Sequence, residues 1–416
     1  MRRCLFVPGL CTTRQQFMHL TTSHGKGHGL KMVSVLSPMA AEEGPAEVAE
    51  PPEDGAIGVV TEIGEELMRS YPKSVQKSTL RSTLLSTTER EQLTRMIFDT
   101  HYAGKDKNKD DEAMWYQSAL EVHWLEEWAL ESLGDQKRDD ARRSVKKAVL
   151  QRVDLHKPLA YIIGSQPFYG CNIKCSPPLL CPRPETEMWT HWFVRTYLSS
   201  ITEECASLRV LDLCCGTGCI GIAVAKHVPF VQVVAVDIAE EAVRASEHNA
   251  RHNGIPSSRF RVVKSDMFEA FCAPEGTTSS LTQYDTKSTR RPLAPEHVGS
   301  FDVVLCNPPY VLPEQYVDLP PSVKLWESKL ALVGDEKREL QHHLYFQELC
   351  EYGSAILKPK SQRNSALHNA PNIIIEVGLQ AEIVASLMER SKLWENVEVH
   401  LDFAQQMRWI SASSSH

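Results

Sequence analysis

The 416-residue chain has no apolar run approaching the length of about 18 residues that a membrane-spanning helix needs, which argues against a span. It also lacks a basic excess: 45 Lys and Arg stand against 53 Asp and Glu, a formal net charge of -8, so no broad nucleic-acid-binding face is expected. Its twelve cysteines contain no Cys-x2-Cys pair with matching histidines. Cys171-x3-Cys175 and Cys214-Cys215-x3-Cys219 therefore read as small buried hydrophobes in a reducing compartment, and no metal is expected. His342-His343 likewise reads as a helix surface, since its neighbours carry a helical period. Acidic residues are missing before Glu42, while Arg2, Arg3, Arg14, Lys26 and Lys31 lie among many Ser, Thr and His. That bias predicts a mitochondrial transit peptide over residues 1–41 and a matrix location.

What is present is a series of short apolar runs, each ending in a polar or glycine-bearing turn. Leu208 to Leu213 reads as a buried strand, followed by Cys214-Cys215-Gly216-Thr217-Gly218 and a helix reaching about His227. The glycines let the backbone approach a ligand closely. The next strand, Val231 to Asp237, ends in a carboxylate about 20 residues after the turn, the offset at which an acid accepts ribose hydroxyl protons. Ile238 follows it. A third unit runs from the helical stretch Glu240 to Asn253 into the strand Phe260 to Lys264 and then Ser265-Asp266-Met267, where Asp266 could accept from an adenine amino group. Together these predict a nucleoside-cofactor site.

A fourth apolar run, Phe301 to Cys306, breaks into Asn307-Pro308-Pro309-Tyr310. Prolines fix φ and remove donors, so carbonyl acceptors are left facing outward; the Asn307 side chain adds another acceptor and Tyr310 a flat face. Such a site suits a planar NH2 group. Gly216-x-Gly218-x-x-Gly221 also satisfies the dinucleotide fingerprint, so a nicotinamide-dependent dehydrogenase is a rival. No constellation of His, Lys or Tyr for hydride transfer makes that rival concrete.

In this order and spacing, the Asp212 to Gly218 turn, Asp237, Asp266 and Asn307 to Tyr310 resemble the S-adenosylmethionine-dependent methyltransferases that modify planar NH2 groups. Within them the chain is most similar to the HemK/PrmC family, the release factor glutamine methyltransferases. Pro158 to Gly164 and Pro182-Arg183-Pro184-Glu185-Thr186-Glu187 resemble two further segments of that family. So do Trp326-Glu327 with Leu330-Ala331-Leu332, and Ile373 to Gly378 with Gln380. Cys214 departs from the pattern, because bacterial members have a glycine there, and Gln166 to Gly170 is closer to fungal mitochondrial members.

The resemblance implies a Rossmann-like, seven-stranded α/β methyltransferase sheet behind a small helical domain. It implies S-adenosylmethionine as cofactor, held by Asp212, Cys214, Cys215, Gly216, Thr217, Gly218, Asp237, Ile238, Asp266, Met267 and Asn307. It further implies Asn307, Pro308, Pro309 and Tyr310 as the catalytic pocket, and N5-methylation of the Gly-Gly-Gln glutamine of a mitochondrial release factor. An adenine-N6 DNA or RNA methyltransferase is the alternative on the same fold.

The layout expected is a flexible linker at 42–56, a helical substrate-recognition domain at 57–157, a connecting segment at 158–200 and the catalytic domain at 201–416. The residues from Glu112 to Leu133, with Trp115, Leu120, Trp124, Leu125 and Trp128, predict a helix whose Trp stripe is mostly core. Asp139 to Val153 predicts another. Residues 104–111, 274–300 and 358–372 read as surface loops.

Overall fold

The computed structural model of the chain describes residues 32–33, 84–103, 111–134, 137–199, 208–275, 291–334 and 341–416. The expected targeting segment apart from Met32–Val33, the linker at 42–56, the part of the expected helical domain before residue 84, residues 104–110 and most of the 274–300 insertion lie outside them.

Three helices come first: α1 (Thr87–His101), α2 (Asp111–Leu133) and α3 (Arg138–Asp154). Ser86 starts α1 with a reciprocal cap, its hydroxyl accepting from the Glu89 amide while the Glu89 carboxylate accepts from the Ser86 amide. The three helices bury Ile97, Val122, Leu125, Ala129, Val145 and Val149 between them. Trp124 is buried in α2, as the stripe predicted, whereas Trp115 and Trp128 are half-buried. Inside this cluster the Glu121 carboxylate accepts from Arg152 Nε at 2.7 Å and from the Tyr102 hydroxyl at 2.9 Å.

The main sheet combines β1 (Met32–Val33), β4 (Leu208–Leu213), β5 (Val231–Asp237), β6 (Phe260–Lys264), β7 (Val303–Cys306), β8 (Ile373–Glu376), β9 (Trp394–Leu401) and β10 (Met407–Ser414), in the order β1-β9-β10-β8-β7-β4-β5-β6. β10 runs antiparallel to both neighbours, and every other pair is parallel. Without the two-residue edge strand β1, this is the expected seven-stranded methyltransferase sheet. An antiparallel strand slotted between β8 and β9 also separates it from the all-parallel 3-2-1-4-5-6 order of dinucleotide-binding sheets.

The central strands are mostly apolar because both faces are covered. β4 sends Leu208 and Val210 into one core, and Leu211 and Leu213 into the other. The first core lies under α6 (Cys219–His227), and the second under α11 (Gln341–Ile356) and α12 (Ala381–Ser391). α7 (Glu240–His252) links β5 to β6. Along β7's exit the chain makes three short helices, α8 (Pro313–Tyr316), α9 (Pro321–Lys324) and α10 (Lys329–Val333).

Residues 158–200 are more than a connector. They form α4 (Leu159–Ile163), the hairpin of β2 (Ser165–Phe168) and β3 (Cys171–Lys174), and α5 (Pro184–Phe193), and their Tyr161, Phe168, Ile173, Trp189 and Phe193 belong to the first core. The 358–372 stretch differs from a plain surface loop as well. It makes two 3-10 turns, one capped by Asn364 accepting from the Ala366 amide at 2.9 Å, and it buries Leu367 and Ala370. His342-His343 falls in α11.

Candidate active site

In a parallel sheet, the crevice opens at the carboxyl ends where successive connections leave in opposite directions. Here that point lies between β4 and β7, and the register sets Leu213 beside both Val236 and Cys306. Cys214, Asp237 and Asn307 therefore leave the sheet in one row, with Asp266 just beyond the end of β6. They line a cavity of about 230 Å³, together with Gly216, Ile238, Met267 and Pro309. Its apolar walls come from Leu179, Leu180, Ala242, Leu330 and Ala331.

The β4 turn is shaped by left-handed backbone: Cys214 has φ 56°, Gly216 53° and Gly218 78°. Cys214 thus occupies a conformation glycine takes without strain, and Met267 (φ 43°) does the same across the cavity, the Cys214 thiol contacting the Met267 sulfur at 3.4 Å. At Gly218, where α6 begins, a side chain would lie 2.9 Å from Ser246 Oγ. Asp237 closes the turn: its Oδ2 accepts from the Gly216 amide and its Oδ1 from the Ala239 amide, each at 2.9 Å. Burial pushes its carboxyl above the usual range, and these amide donors offset part of that rise.

Four of the expected cofactor residues lie beneath the cavity and shape it from there. Asp212 is fully buried, its Oδ2 accepting from the Gly221 amide at 2.9 Å. Cys215 and Thr217 are buried, and Gly218 caps α6.

The Asn-Pro-Pro-Tyr residues divide. Asn307 and Pro309 line the cavity, Pro308 is buried, and Tyr310 turns toward β8, where its hydroxyl donates to Glu376 Oε1 at 2.9 Å. Burial, with Glu376 beside it, pushes the Tyr310 phenol far up, so it remains neutral. Gln380 Nε2 donates to the Tyr310 carbonyl at 2.8 Å and fixes the end of the loop.

Glu376, marked in the sequence only as part of the family-like stretch Ile373 to Gly378, gathers three donors from two segments, α5 and the Tyr310 loop. Thr186 Oγ1 donates to its Oε2 at 2.7 Å, and Trp189 Nε1 donates to the same oxygen at 2.8 Å. Within the Pro182–Glu187 segment, Arg183 pairs with Glu327, and Glu187 accepts from the Tyr169 amide at 2.6 Å. A second cavity, about 210 Å³, lies between the α1–α3 helices and the catalytic domain, with Tyr102, Trp124 and Arg152 on one side and Gln166, Arg183 and Glu185 on the other.

Comparison with known proteins matches residues 194–275 to the family model described as "Methyltransferase small domain". Among curated relatives, the release factor glutamine methyltransferase of Chlamydia trachomatis is 33% identical over 177 residues, covering 42% of this chain and 50% of that protein. The mitochondrial MRF1 N(5)-glutamine methyltransferase MTQ1 of Saccharomyces cerevisiae is 30% identical, covering 53% of this chain and 60% of that one. The chain thus spans about half the length of the first of these relatives and somewhat more of the second. The release factor glutamine methyltransferase of Nitratidesulfovibrio vulgaris is 30% identical over 258 residues, 62% of this chain and 72% of that protein. Sharing that much sequence with them, along with the strand order and the Asn-Pro-Pro-Tyr loop, this chain belongs to the release factor glutamine methyltransferase family.

Proposed function

We propose that this protein transfers a methyl group from S-adenosylmethionine to the side-chain nitrogen of the Gly-Gly-Gln glutamine of a mitochondrial translation release factor. One arrangement carries the reading: Asn307, an amide with an acceptor oxygen, lines the same cavity as the carboxylates Asp237 and Asp266. Acceptors at the ends of β5 and β6, a close-approaching glycine turn and apolar walls fit an adenosyl group. In this reading Asp237 accepts from ribose hydroxyls, Asp266 from the adenine amino group, and Gly216 lets the backbone come close. Cys214, Ile238 and Met267, which line the same cavity, would lie against the cofactor.

When bound, the cofactor supplies an electrophilic methyl on a positively charged sulfur that departs as a neutral thioether. The glutamine nitrogen is a poor nucleophile because its lone pair is delocalised into the carbonyl. Asn307 and the Pro308 carbonyl hold the NH2 group through its protons and so aim the lone pair. Orientation of this kind supplies on the order of 7 to 11 kcal/mol. With the NH2 group so held by Asn307 and the Pro308 carbonyl, the carbon–sulfur bonding pair would stay with sulfur on transfer and the alkylated nitrogen would lose its extra proton to water. No base is needed before transfer.

The mitochondrial address rests on the acid-free, Arg-containing stretch before Glu42 and on the yeast relative's name. The deciding experiment incubates the protein with methyl-labelled S-adenosylmethionine and a mitochondrial release factor, with an adenine-containing oligonucleotide in parallel. One methyl group on the Gly-Gly-Gln glutamine is the expected mass shift. Label on the oligonucleotide alone overturns the substrate and moves the function to nucleic-acid methylation.

A further inference from the structure

Among the described residues the Asn307 side chain is held by Thr186, and the chemistry of that partner decides which end of the amide is left for a substrate. Asn307 Nδ2 lies 3.3 Å from Thr186 Oγ1. A threonine hydroxyl has one proton and two lone pairs. Its proton is committed to Glu376 Oε2 at 2.7 Å, so toward Asn307 it can only accept. Glu376 Oε2 is the acceptor in this contact and leaves the direction unreversed. The indole of Trp189 reinforces the point by donating to the same oxygen, and the Tyr310 hydroxyl donates to the other. Every hydrogen bond of this relay therefore runs toward Glu376. The Asn307 amide must present NH2 to Thr186, and Oδ1 is the end that remains.

We propose that Thr186 and Glu376 are positioning residues that fix the polarity of the Asn307 amide, so that an acceptor faces the glutamine NH2. An amide free to turn over would present its own NH2 to the incoming NH2 group part of the time, donor against donor. Glu376 lies at the end of β8 and Thr186 in α5, both buried, so the relay is set before any substrate arrives. The inference rests on the proposed glutamine methylation and adds how its pocket is kept acceptor-facing.

The test compares the full-length protein with Thr186→Val and Thr186→Ser in the release factor assay. Valine keeps the shape and removes the relay; Glu376 Oε2 keeps its Trp189 donor, so the fold has no new orphaned carboxylate. The expected result for Thr186→Val is a kcat lowered roughly 10- to 100-fold with KM and cofactor affinity near those of the parent, as misplacement of a reacting group produces. Thr186→Ser, which restores the hydroxyl, should recover most of the rate. In parallel, the Asn307 side-chain amide resonances should shift and sharpen differently in the valine variant and return in the serine variant. Normal kcat in Thr186→Val, or equal damage in both variants with cofactor affinity lost, overturns the relay while leaving glutamine methylation in place. Failure of the parent protein itself to methylate glutamine overturns the functional reading and the relay with it.

Discussion

At the scale of single residues, Asn307 and Asp212 have separable tasks. Asn307 lines the cavity but contributes to no core. Asn307→Ala should leave cofactor affinity by calorimetry almost unchanged and reduce kcat by about 100-fold or more, because the amide nucleophile loses its aim. Near-normal turnover in that variant would sink the acceptor mechanism. Asp212 lines neither of the two cavities described; it holds the α6 turn through the Gly221 amide, and its Oδ1 is buried without a hydrogen-bond partner among the described residues. Burial pushes its carboxyl up from 3.8 to about 7. The folded protein therefore keeps a proton that the unfolded chain releases. The resulting stability is fully present below pH 3.8 and is lost as pH rises to about 7, falling by up to about 1.4 kcal/mol per pH unit across that window. Asp212→Asn has no such proton to lose. Its urea midpoint, measured from pH 5 to pH 8, should fall less than that of the parent, and parallel curves would exclude Asp212 as the titrating group. The same turn shows why the glycine fingerprint did not discriminate between cofactors. A side chain at Gly221 would lie 2.8 Å from Asp212 Oδ2 and from Val233 Cγ1, so this glycine serves helix-on-strand packing, which any doubly wound sheet requires.

At the scale of elements, the helices α1, α2 and α3 are joined by a buried charge pair as well as by their apolar faces. Glu121 and Arg152 face each other with side-chain exposures of 5% and 10%, so neither charge can be left to water. Glu121→Gln strands the Arg152 guanidinium and should destabilise this unit by about 3 kcal/mol, read as faster amide exchange in α1 to α3. Replacing both residues with Leu and Met should recover much of the loss, since an apolar pair of similar volume removes the desolvation penalty. An unchanged exchange pattern in Glu121→Gln would show that the apolar contacts alone hold the helices. These elements also show how far sequence carries. The strands β4 to β7 were readable because a parallel sheet covered on both faces demands largely apolar runs, and the loops after them because each carries Gly, Asp or Asn; β8 was marked only by the family resemblance. The buried partners were not readable. Thr186 and Glu376 are 190 residues apart, and nothing local marks a threonine in Pro-Glu-Thr-Glu as the neighbour of a strand-end glutamate. β10 runs on through the polar Ser411, Ser413 and Ser414, which no apolar pattern marks, because they are buried against partners such as His400 and Asn372.

At the scale of the whole molecule, the helical unit and the catalytic sheet meet at Trp326. Its indole donates to the Leu155 carbonyl just past α3 at 2.8 Å, its ring meets Tyr161 of α4 edge-on at 6.4 Å, and Lys157 lies over it at 5.6 Å. The next residue, Glu327, pairs with Arg183 at the start of α5. The Trp326-Glu327 pair thus pins the loop after β7 to the helical unit on one side and to the Pro-Arg-Pro segment on the other, and the roughly 210 Å³ cavity lies between these attachments. If the helical unit receives the protein substrate, as the sequence layout expects, this joint sets the distance between where the release factor is held and where its glutamine must arrive. Trp326→Ala removes the indole donor and the ring contacts without touching the cofactor cavity. It should raise KM for the release factor roughly tenfold, a loss near 1.4 kcal/mol, with cofactor affinity unchanged. The discriminating control is a short Gly-Gly-Gln peptide, which is too small to use a remote holding surface: its kcat/KM should be the same in parent and variant. A variant that loses peptide and protein substrates equally would place Trp326 in the glutamine pocket's own support and break the link between domain docking and substrate capture.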